Sequence, residues 1–184
     1  EGDKRFFTEA LDAADLIVHG RNSYEDQPNS PRRKRLFVTR KVAATAPDPA
    51  NPNAMLWNPA GCPFEAACAD AGVTAGTVAV IGGPGVFDMF MDRYDVFWLS
   101  QAPHVHVPDG EPCFPGVPAQ TPQQVLQSHG LRAGSPQLLD PTADPGLSSF
   151  LSSAKPNLGR LGDVAAASCH PEIGRAQIRG RAVW

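Results

Sequence analysis

The chain has 184 residues, a formal net charge of −3 at pH 7 and 42% hydrophobic residues. This length suits one α/β domain with a sizeable core. The small negative charge gives no electrostatic reason to expect nucleic acid or an anionic membrane as a partner. No apolar run reaches the roughly 18 residues that a transmembrane helix needs.

Hydrophobic periodicity predicts helices and strands in alternation. Helices are predicted at 3–14, 64–71 and 122–129, and strands at 14–19, 36–39, 55–57, 78–81, 95–100 and 135–139. Such alternation is typical of a mostly parallel sheet that helices cover on both faces. The prediction is therefore an α/β domain of three layers.

Other stretches do not show this alternation of helices and strands. Residues 43–63 and 103–118 are rich in turn signals and are predicted as surface loops, the first around the strand at 55–57. Residues 141–184 show no clear period of 2 or 3.6. We therefore divide the chain into a domain at 1–140 and an irregular or disordered extension at 141–184, in which only 176–184 suits a strand.

The cysteines and histidines do not form a metal-binding pattern. The four cysteines share no Cys-x-x-Cys spacing and are Cys62, Cys68, Cys113 and Cys169. Reduced thiols in a cytoplasmic protein are the expected state. His104 and His106 lie on one face of an extended segment, but no third ligand accompanies them, so no metal site is predicted.

A glycine-rich corner follows the strand at 78–81. Gly82 and Gly83 let the backbone turn without a Cβ, and Val86 and Phe87 begin an apolar helical pattern. The free amides of a helix start would suit a phosphate, although a purely structural turn is the alternative. The run reads Gly-Gly-Pro-Gly and not Gly-x-Gly-x-x-Gly, so an ordinary Rossmann domain is not indicated.

Six segments stand in a recognisable order: DKRFF at 3–7, IVHGRNSYE at 17–25, PRRKRLFVTR at 31–40, VIGGPGVF at 80–87, FWLS at 97–100 and CFP at 113–115. In this order residues 1–140 resemble the dihydrofolate reductase superfamily, which includes the reductase domain of riboflavin biosynthesis. The resemblance implies a dihydrofolate reductase-like αβα domain around a mostly parallel mixed sheet. It also implies an NADPH-dependent oxidoreductase that transfers hydride to a C=N bond of dihydrofolate or a related pterin.

The resemblance assigns three segments to NADPH. They are the turn Gly20, Arg21, Asn22 and Ser23, the strand end Thr39 and Arg40, and the corner Ile81, Gly82, Gly83, Pro84, Gly85, Val86 and Phe87. Arginine binds phosphate through two parallel hydrogen bonds, and Thr39 with Arg40 suits the 2′-phosphate that distinguishes NADPH from NADH. Phe87 stands where many members of the family have tyrosine, so packing near the nicotinamide is its implied role. Solvated arginines at a turn and at a strand end are the alternatives.

The resemblance also implies a substrate site along the first helix. Asp3 matches the carboxylate that binds the pterin and arranges proton supply, and Ser100 is implied to support it through water. Phe7 is implied to stack against the ring. Arg33 matches the arginine that pairs with the folate carboxylate, although this assignment can slip by one within the run 32–35. The alternative for Asp3 is an ordinary first-turn acid.

Two features of the family do not fit. Its first strand and the mobile loop after it should precede residue 1, so the sheet is expected to lack a strand and the site its lid. The two antiparallel strands that end the family's domain are not evident in 141–184. A riboflavin-pathway ribosylaminopyrimidine reductase and a non-catalytic NADPH-binding module stay as alternative functions. The expected partner is a small-molecule substrate, without nucleic acid or membrane, and a homodimer is left open.

Overall fold

The computed structural model describes residues 2–23, 25–101, 110–139, 146–152 and 163–166, with the backbone alone for Asp3 and for the last two segments. Within these residues four helices occur, α1 Gly2–Ala13, α2 Phe64–Asp70, α3 Pro84–Met89 and α4 Pro122–Ser128, and short 3-10 turns at Ser30–Arg32 and Met91–Arg93. The strands are β1 Leu16–His19, β2 Arg35–Val38, β3 Thr45–Pro47, β4 Ala54–Trp57, β5 Thr77–Val80, β6 Val96–Gln101, β7 Leu131–Ala133, β8 Gln137–Leu138, β9 Gly146–Ser152 and β10 Asp163–Ala166.

The strands of the described residues form one sheet in the order β3-β4-β2-β1-β5-β10-β6-β9-β7, with β8 paired to β9. The six strands from β4 to β6 run parallel. Strands β3, β7, β8 and β9 add antiparallel pairs at the two sides. The predicted α/β class with a mostly parallel mixed sheet is confirmed.

Alternate residues of the parallel strands enter two different cores, because successive side chains of a strand point to opposite faces. Val18 of β1 belongs to the larger core, which also holds side chains of α2, α3 and α4. Ile17 belongs to the smaller core, where Phe7 and Leu11 of α1 pack on Ala79. The sheet therefore lies between α1 on one face and the other three helices on the opposite face, which confirms the three layers.

Proline and threonine define where the later helices begin. Pro84 and Pro122 lie at the helix starts, where a missing N–H removes no helical hydrogen bond. Thr121 Oγ1 accepts the N–H of Gln124 at 3.2 Å, and Gln124 Oε1 accepts the N–H of Thr121 at 2.9 Å. This reciprocal capping box ends the preceding loop and begins α4.

Strands β9 and β10 lie in the segment that the sequence predicts to be irregular. β9 pairs with the whole length of β6, from Gly146 opposite Gln101 to Leu151 opposite Val96. The prediction is therefore wrong for residues 146–152 and 163–166, and the rest of the segment, with the predicted strand at 176–184, lies outside the described residues. Glycine, serine and alanine dominate the two strands, so neither shows the apolar alternation from which a strand is predicted.

The sheet also does not lack a central strand, contrary to the expectation from the resemblance. β10 lies between β5 and β6, where Ala166 pairs with Val80 on one side and with Phe97 on the other. The strand comes from residues 163–166 and not from a segment that precedes residue 1. Residues 146–152 and 163–166 thus belong to the same sheet as the rest of the domain.

We expect Ala165→Pro to destabilise the whole domain. A strand with neighbours on both sides directs every amide toward one of them, and proline removes that donor. A buried carbonyl left without its partner costs roughly 1–3 kcal/mol in the free energy of unfolding. Chemical denaturation of the full chain measures this loss.

Ala165→Gly is the matched control because it keeps the amide, and it should cost roughly 0.5–1 kcal/mol. If the proline variant were as stable as the glycine variant, β10 would not belong to the sheet in solution.

Candidate functional site

Three neighbouring strands end at the same level of the sheet. His19 of β1 pairs with Phe37 of β2, and Val18 pairs with Val80 of β5. The turn 20–23, the strand end 39–40 and the corner 81–85 therefore meet at one edge. Adjacent strands lie about 4.8 Å apart, so this row spans about 10 Å. The carboxyl edge of a parallel sheet is where α/β proteins bind ligands.

The turn and the corner are in direct contact. The N–H of Gly20 donates to the carbonyl oxygen of Gly82 at 2.7 Å. A Cβ at Gly20 would lie 3.4 Å from Cγ2 of Val86 and 3.7 Å from the oxygen of Gly82. These distances are ordinary van der Waals contacts, so the turn and the corner pack closely around the one hydrogen bond that joins them.

Gly82 is the most constrained residue of the corner. Its φ is +95°, in the region that favours glycine, and the peptide bond between Gly82 and Gly83 is cis. A Cβ at Gly82 would lie 2.6 Å from Cε2 of Phe87. The Phe87 ring is buried and packs edge-on against Phe97, with 5.8 Å between the ring centroids. Phe87 therefore supports the corner from the larger core.

The start of α3 offers fewer free amides than the sequence suggests. The N–H groups of Val86 and Phe87 both donate to the carbonyl oxygen of Gly83, at 2.8 and 3.0 Å. Pro84 has no N–H to donate. Gly85 is exposed, and a Cβ there would have no neighbour within 4 Å. Most amides at this helix start are therefore bonded within the protein, and what the corner offers a ligand is the open surface at Gly85.

Polar side chains of the first turn lie beside the corner. Ser23 is buried, and its Oγ lies 3.4 Å from the position that a Cβ on Gly83 would take. Arg21 and Asn22 are exposed. The turn therefore presents one buried hydroxyl toward the glycines and an exposed guanidinium outside it.

The end of β2 adds a second basic group to the same edge. Arg40 and Lys41 are exposed, and Thr39 is half-buried. Thr39 Oγ1 accepts the N–H of Lys41 at 3.2 Å. The hydroxyl of Thr39 and the guanidinium of Arg40 thus follow one another at a strand end, a pairing that suits a phosphate monoester.

His19 is a site residue that sequence analysis missed. Its ring is 1% exposed and packs edge-on against Phe37, with 5.3 Å between the centroids. Nδ1 lies 2.9 Å from the carbonyl oxygen of Gly20, and since a carbonyl only accepts, Nδ1 carries the proton. Burial lowers the pKa of His19 from 6.5 to about 4. A neutral histidine thus holds the carbonyl of Gly20 while Gly82 holds its amide.

On the α1 side, the predicted ligand contacts are buried in the protein. Phe7 and Ile81 are each 1% exposed and pack in the smaller core, so their side chains are not available for stacking on a ligand. The Ser100 side chain is fully buried, and its Oγ has no hydrogen-bond partner among the described residues. The backbone of Asp3 lies in the first turn of α1, and its side chain is outside what the structure describes.

Arg33 is engaged inside the protein. Its Nε and Nη2 donate to Asp12 Oδ1 at 3.0 and 2.6 Å, and its Nη1 donates to Gln27 Oε1 at 2.9 Å. Nη1 also lies 3.0 Å from Oε1 of Glu25. The pairing of Arg33 with a substrate carboxylate stays a prediction, and its exposed neighbours Arg32 and Lys34 are the alternatives in the run.

Within the described segments, no group of three or more His, Cys, Asp and Glu residues is placed to hold a metal ion, and His104 and His106 lie outside them. Burial raises the pKa of Cys68 and of Cys113 to about 12, so both stay protonated at neutral pH. Cys62 is likewise a free thiol, and Cys169 lies outside the described residues. No helix of the described part combines the length and apolar character needed to cross a bilayer.

The chain matches no protein-family model and no curated protein. The described residues form a three-layer α/β protein in which a glycine corner and a second glycine turn meet at the carboxyl edge of a mostly parallel sheet.

We expect Gly82→Ala to destabilise the corner and Gly85→Ala to be tolerated. An alanine at φ +95° with a Cβ 2.6 Å from Phe87 is strained, which costs roughly 1–3 kcal/mol. Gly85 lies in α3 with open space around it, so alanine there is neutral or stabilises by up to about 1 kcal/mol. Thermal unfolding compares the two variants, and equal changes in Tm would contradict the described corner.

Stability is expected to fall as the pH drops from 6.5 to about 4 because of His19. The folded protein keeps this ring neutral, whereas the unfolded chain takes up a proton in that interval. Stability is therefore fully present above the unfolded pKa and is lost toward the folded one. The slope that His19 contributes is at most about 1.4 kcal/mol per pH unit.

Urea denaturation at several pH values measures this slope. His19→Gln, which cannot titrate, should show a flatter dependence than the wild type. A variant with the full wild-type slope would assign the pH dependence to other groups.

Proposed function

We propose that the protein is an NADPH-dependent reductase of the dihydrofolate reductase type, which transfers hydride to a C=N bond of dihydrofolate or a related pterin. The observation that carries the proposal is the contact of the Gly20 turn with the Gly82 corner at the carboxyl edge of the sheet. This contact joins two of the three segments that the resemblance assigns to NADPH, and the third, Thr39 with Arg40, ends the adjacent strand.

The charge and length of the edge suit a dinucleotide phosphate. Arg21 and Arg40 are exposed at the ends of neighbouring strands, and guanidinium groups bind phosphate by paired hydrogen bonds. In this proposal Arg40 and Thr39 hold the 2′-phosphate, Arg21 and Ser23 hold the pyrophosphate, and the open backbone at Gly83 and Gly85 leaves room for the nicotinamide half. When bound, NADPH supplies the hydride.

The substrate is proposed to lie between the start of α1 and the end of β6. A buried hydroxyl normally has a hydrogen-bond partner, and Ser100 Oγ has none among the described residues. We assign to Ser100 a water or carboxylate partner at the site. Asp3 would bind the amino group and ring nitrogen of a pterin and hold a proton near the nitrogen of the reduced bond.

A second candidate is a non-catalytic NADPH-binding module. Phe7 is buried in the smaller core and Arg33 is bound to Asp12, so two contacts expected for a pterin substrate are used inside the protein. The three segments assigned to NADPH are unaffected by these contacts. This candidate binds NADPH through these segments and transfers no hydride.

Arg40→Ala is expected to weaken NADPH binding roughly 10- to 100-fold, because one charge-assisted contact to the 2′-phosphate is lost. NADH lacks that phosphate, so its affinity should change little. Titration of NADPH and of NADH into the wild type and the variant gives, for each nucleotide, the ratio of the Kd values of the two proteins. Arg132→Ala, at an exposed position of β7, is the control and should leave both affinities unchanged. Equal weakening of NADPH and NADH would contradict the assignment of Arg40.

Turnover assays with the full chain separate the candidate functions. NADPH at 100 times its Kd should raise the free energy of unfolding by about 2.7 kcal/mol. Oxidation of NADPH with dihydrofolate supports the proposed reductase, and oxidation only with a ribosylaminopyrimidine supports the riboflavin-pathway branch. Stabilisation without turnover supports the binding module, and no stabilisation by NADPH overturns all three.

A further inference from the structure

A cluster of buried charges lies between the end of α1 and the start of β2. The side chains of Glu25 and Arg35 are 0% and 1% exposed, and that of Arg33 is 5% exposed. Asp12, with a side chain that is 38% exposed, closes the cluster on the α1 side. Buried charges are rare in proteins unless they are paired, and each charge of this group has a partner of opposite sign. We call these four residues the Glu25 cluster.

Glu25 is the residue that joins the cluster. Its Oε1 contacts Nη1 of Arg33 at 3.0 Å and also Nη2 of Arg35. Its Oε2 accepts the N–H of Gln27 at 3.0 Å, and its carbonyl oxygen accepts the hydroxyl of Ser30 at 2.9 Å. One carboxylate therefore holds two guanidinium groups and the loop that follows it.

The two arginines extend these contacts in opposite directions. Arg35 Nη2 donates to Oγ of Ser30 at 2.7 Å and to its carbonyl oxygen at 3.2 Å, which fixes the loop on β2. Arg33 donates twice to Asp12, and this bond lowers the pKa of Asp12. The cluster thus connects α1, the loop after β1 and the first residue of β2.

These three elements carry the parts of the proposed site. Ser23 of the nucleotide turn stands two positions before Glu25 in the sequence, α1 carries Asp3, and the far end of β2 leads to Thr39. Glu25 and Arg35 also lie close enough to His19 to act on its charge, and His19 holds the carbonyl of Gly20. The bonds described for the cluster run to α1, the loop after β1 and β2, so its effect on a ligand at the corner would be indirect.

We propose that Glu25 is a positioning residue for nucleotide binding. By pairing with Arg33 and Arg35 it fixes the turn 20–23 against α1 and β2, so that Gly20 stays bonded to Gly82. The affinity for NADPH then depends on a carboxylate that does not touch the nucleotide. This inference rests on the proposed function, and the first experiment is chosen to be independent of it.

Hydrogen exchange in the full chain without nucleotide tests the positioning role. In Glu25→Gln the amide of Gly20, bonded to Gly82 in the wild type, should exchange roughly tenfold or more faster, because the turn opens locally more often. The amide of Val125 in α4, far from the cluster in the sequence and bonded to Thr121, is the internal reference. An unchanged ratio of the two exchange rates would overturn the proposal, whatever the protein binds.

Nucleotide titration tests the functional consequence. Glu25→Gln should weaken NADPH roughly 5- to 30-fold, whereas Asp12→Asn, at the half-exposed end of the cluster, should change it by about threefold or less. If the wild type binds no NADPH, the proposed function fails and the exchange experiment alone decides the role of Glu25.

A double variant separates positioning from simple charge imbalance. Glu25→Gln with Arg35→Gln removes one charge of each sign, so Tm should recover in part relative to Glu25→Gln while the NADPH affinity stays low. Recovery of affinity together with Tm would reduce Glu25 to a purely structural role.

If Glu25→Gln does not fold, Glu25→Asp retains the charge and withdraws the carboxylate by one methylene. Glu25→Asp should then show faster exchange of the Gly20 amide than the wild type, with a smaller change in Tm than Glu25→Gln. Exchange at the wild-type rate in Glu25→Asp would overturn the proposal.

Discussion

The hydrogen bond from Gly20 to Gly82 is the contact on which the edge of this domain depends. It holds two loops together although neither loop is adjacent to the other in sequence. The bond requires glycine at Gly82, where φ is +95° and a Cβ would lie 2.6 Å from the Phe87 ring, whereas a Cβ at Gly20 would make ordinary van der Waals contact with Val86. The ring of buried His19 donates a hydrogen bond to the carbonyl oxygen of Gly20. A polar edge is thus built from backbone groups, with Val86 and Phe87 of the larger core packed beside it.

Several elements could be predicted because their signal is local. The apolar run before Gly82 and the helical spacing of Phe7 and Leu11 each specify an element without reference to distant residues. The glycine corner could also be predicted, because the conformation at Gly82 excludes other residues. The role of Phe7 could not, since an apolar helical face looks the same whether it covers a core or a ligand. Burial in the smaller core is a property of the folded chain alone.

The burial of the charged residues and the position of β10 could not be predicted from the sequence. A basic run such as 32–35 normally marks a solvated surface, yet Arg33 and Arg35 are buried because Asp12 and Glu25 reach them from other elements. No local pattern reports such pairing. The Asp-Val-Ala-Ala sequence of β10 has low strand propensity, and its place between β5 and β6 comes from neighbours much earlier in the chain.

The central position of β10 has a consequence for how the protein is made. Ribosomes release β5 and β6 long before residues 163–166, so the growing chain holds two strands whose facing edges have no neighbour. Unpaired strand edges recruit other chains, and contacts between distant residues form slowly. We therefore expect this domain to complete its folding only after most of the chain has left the ribosome, and to depend on chaperones that shield those edges until β10 arrives.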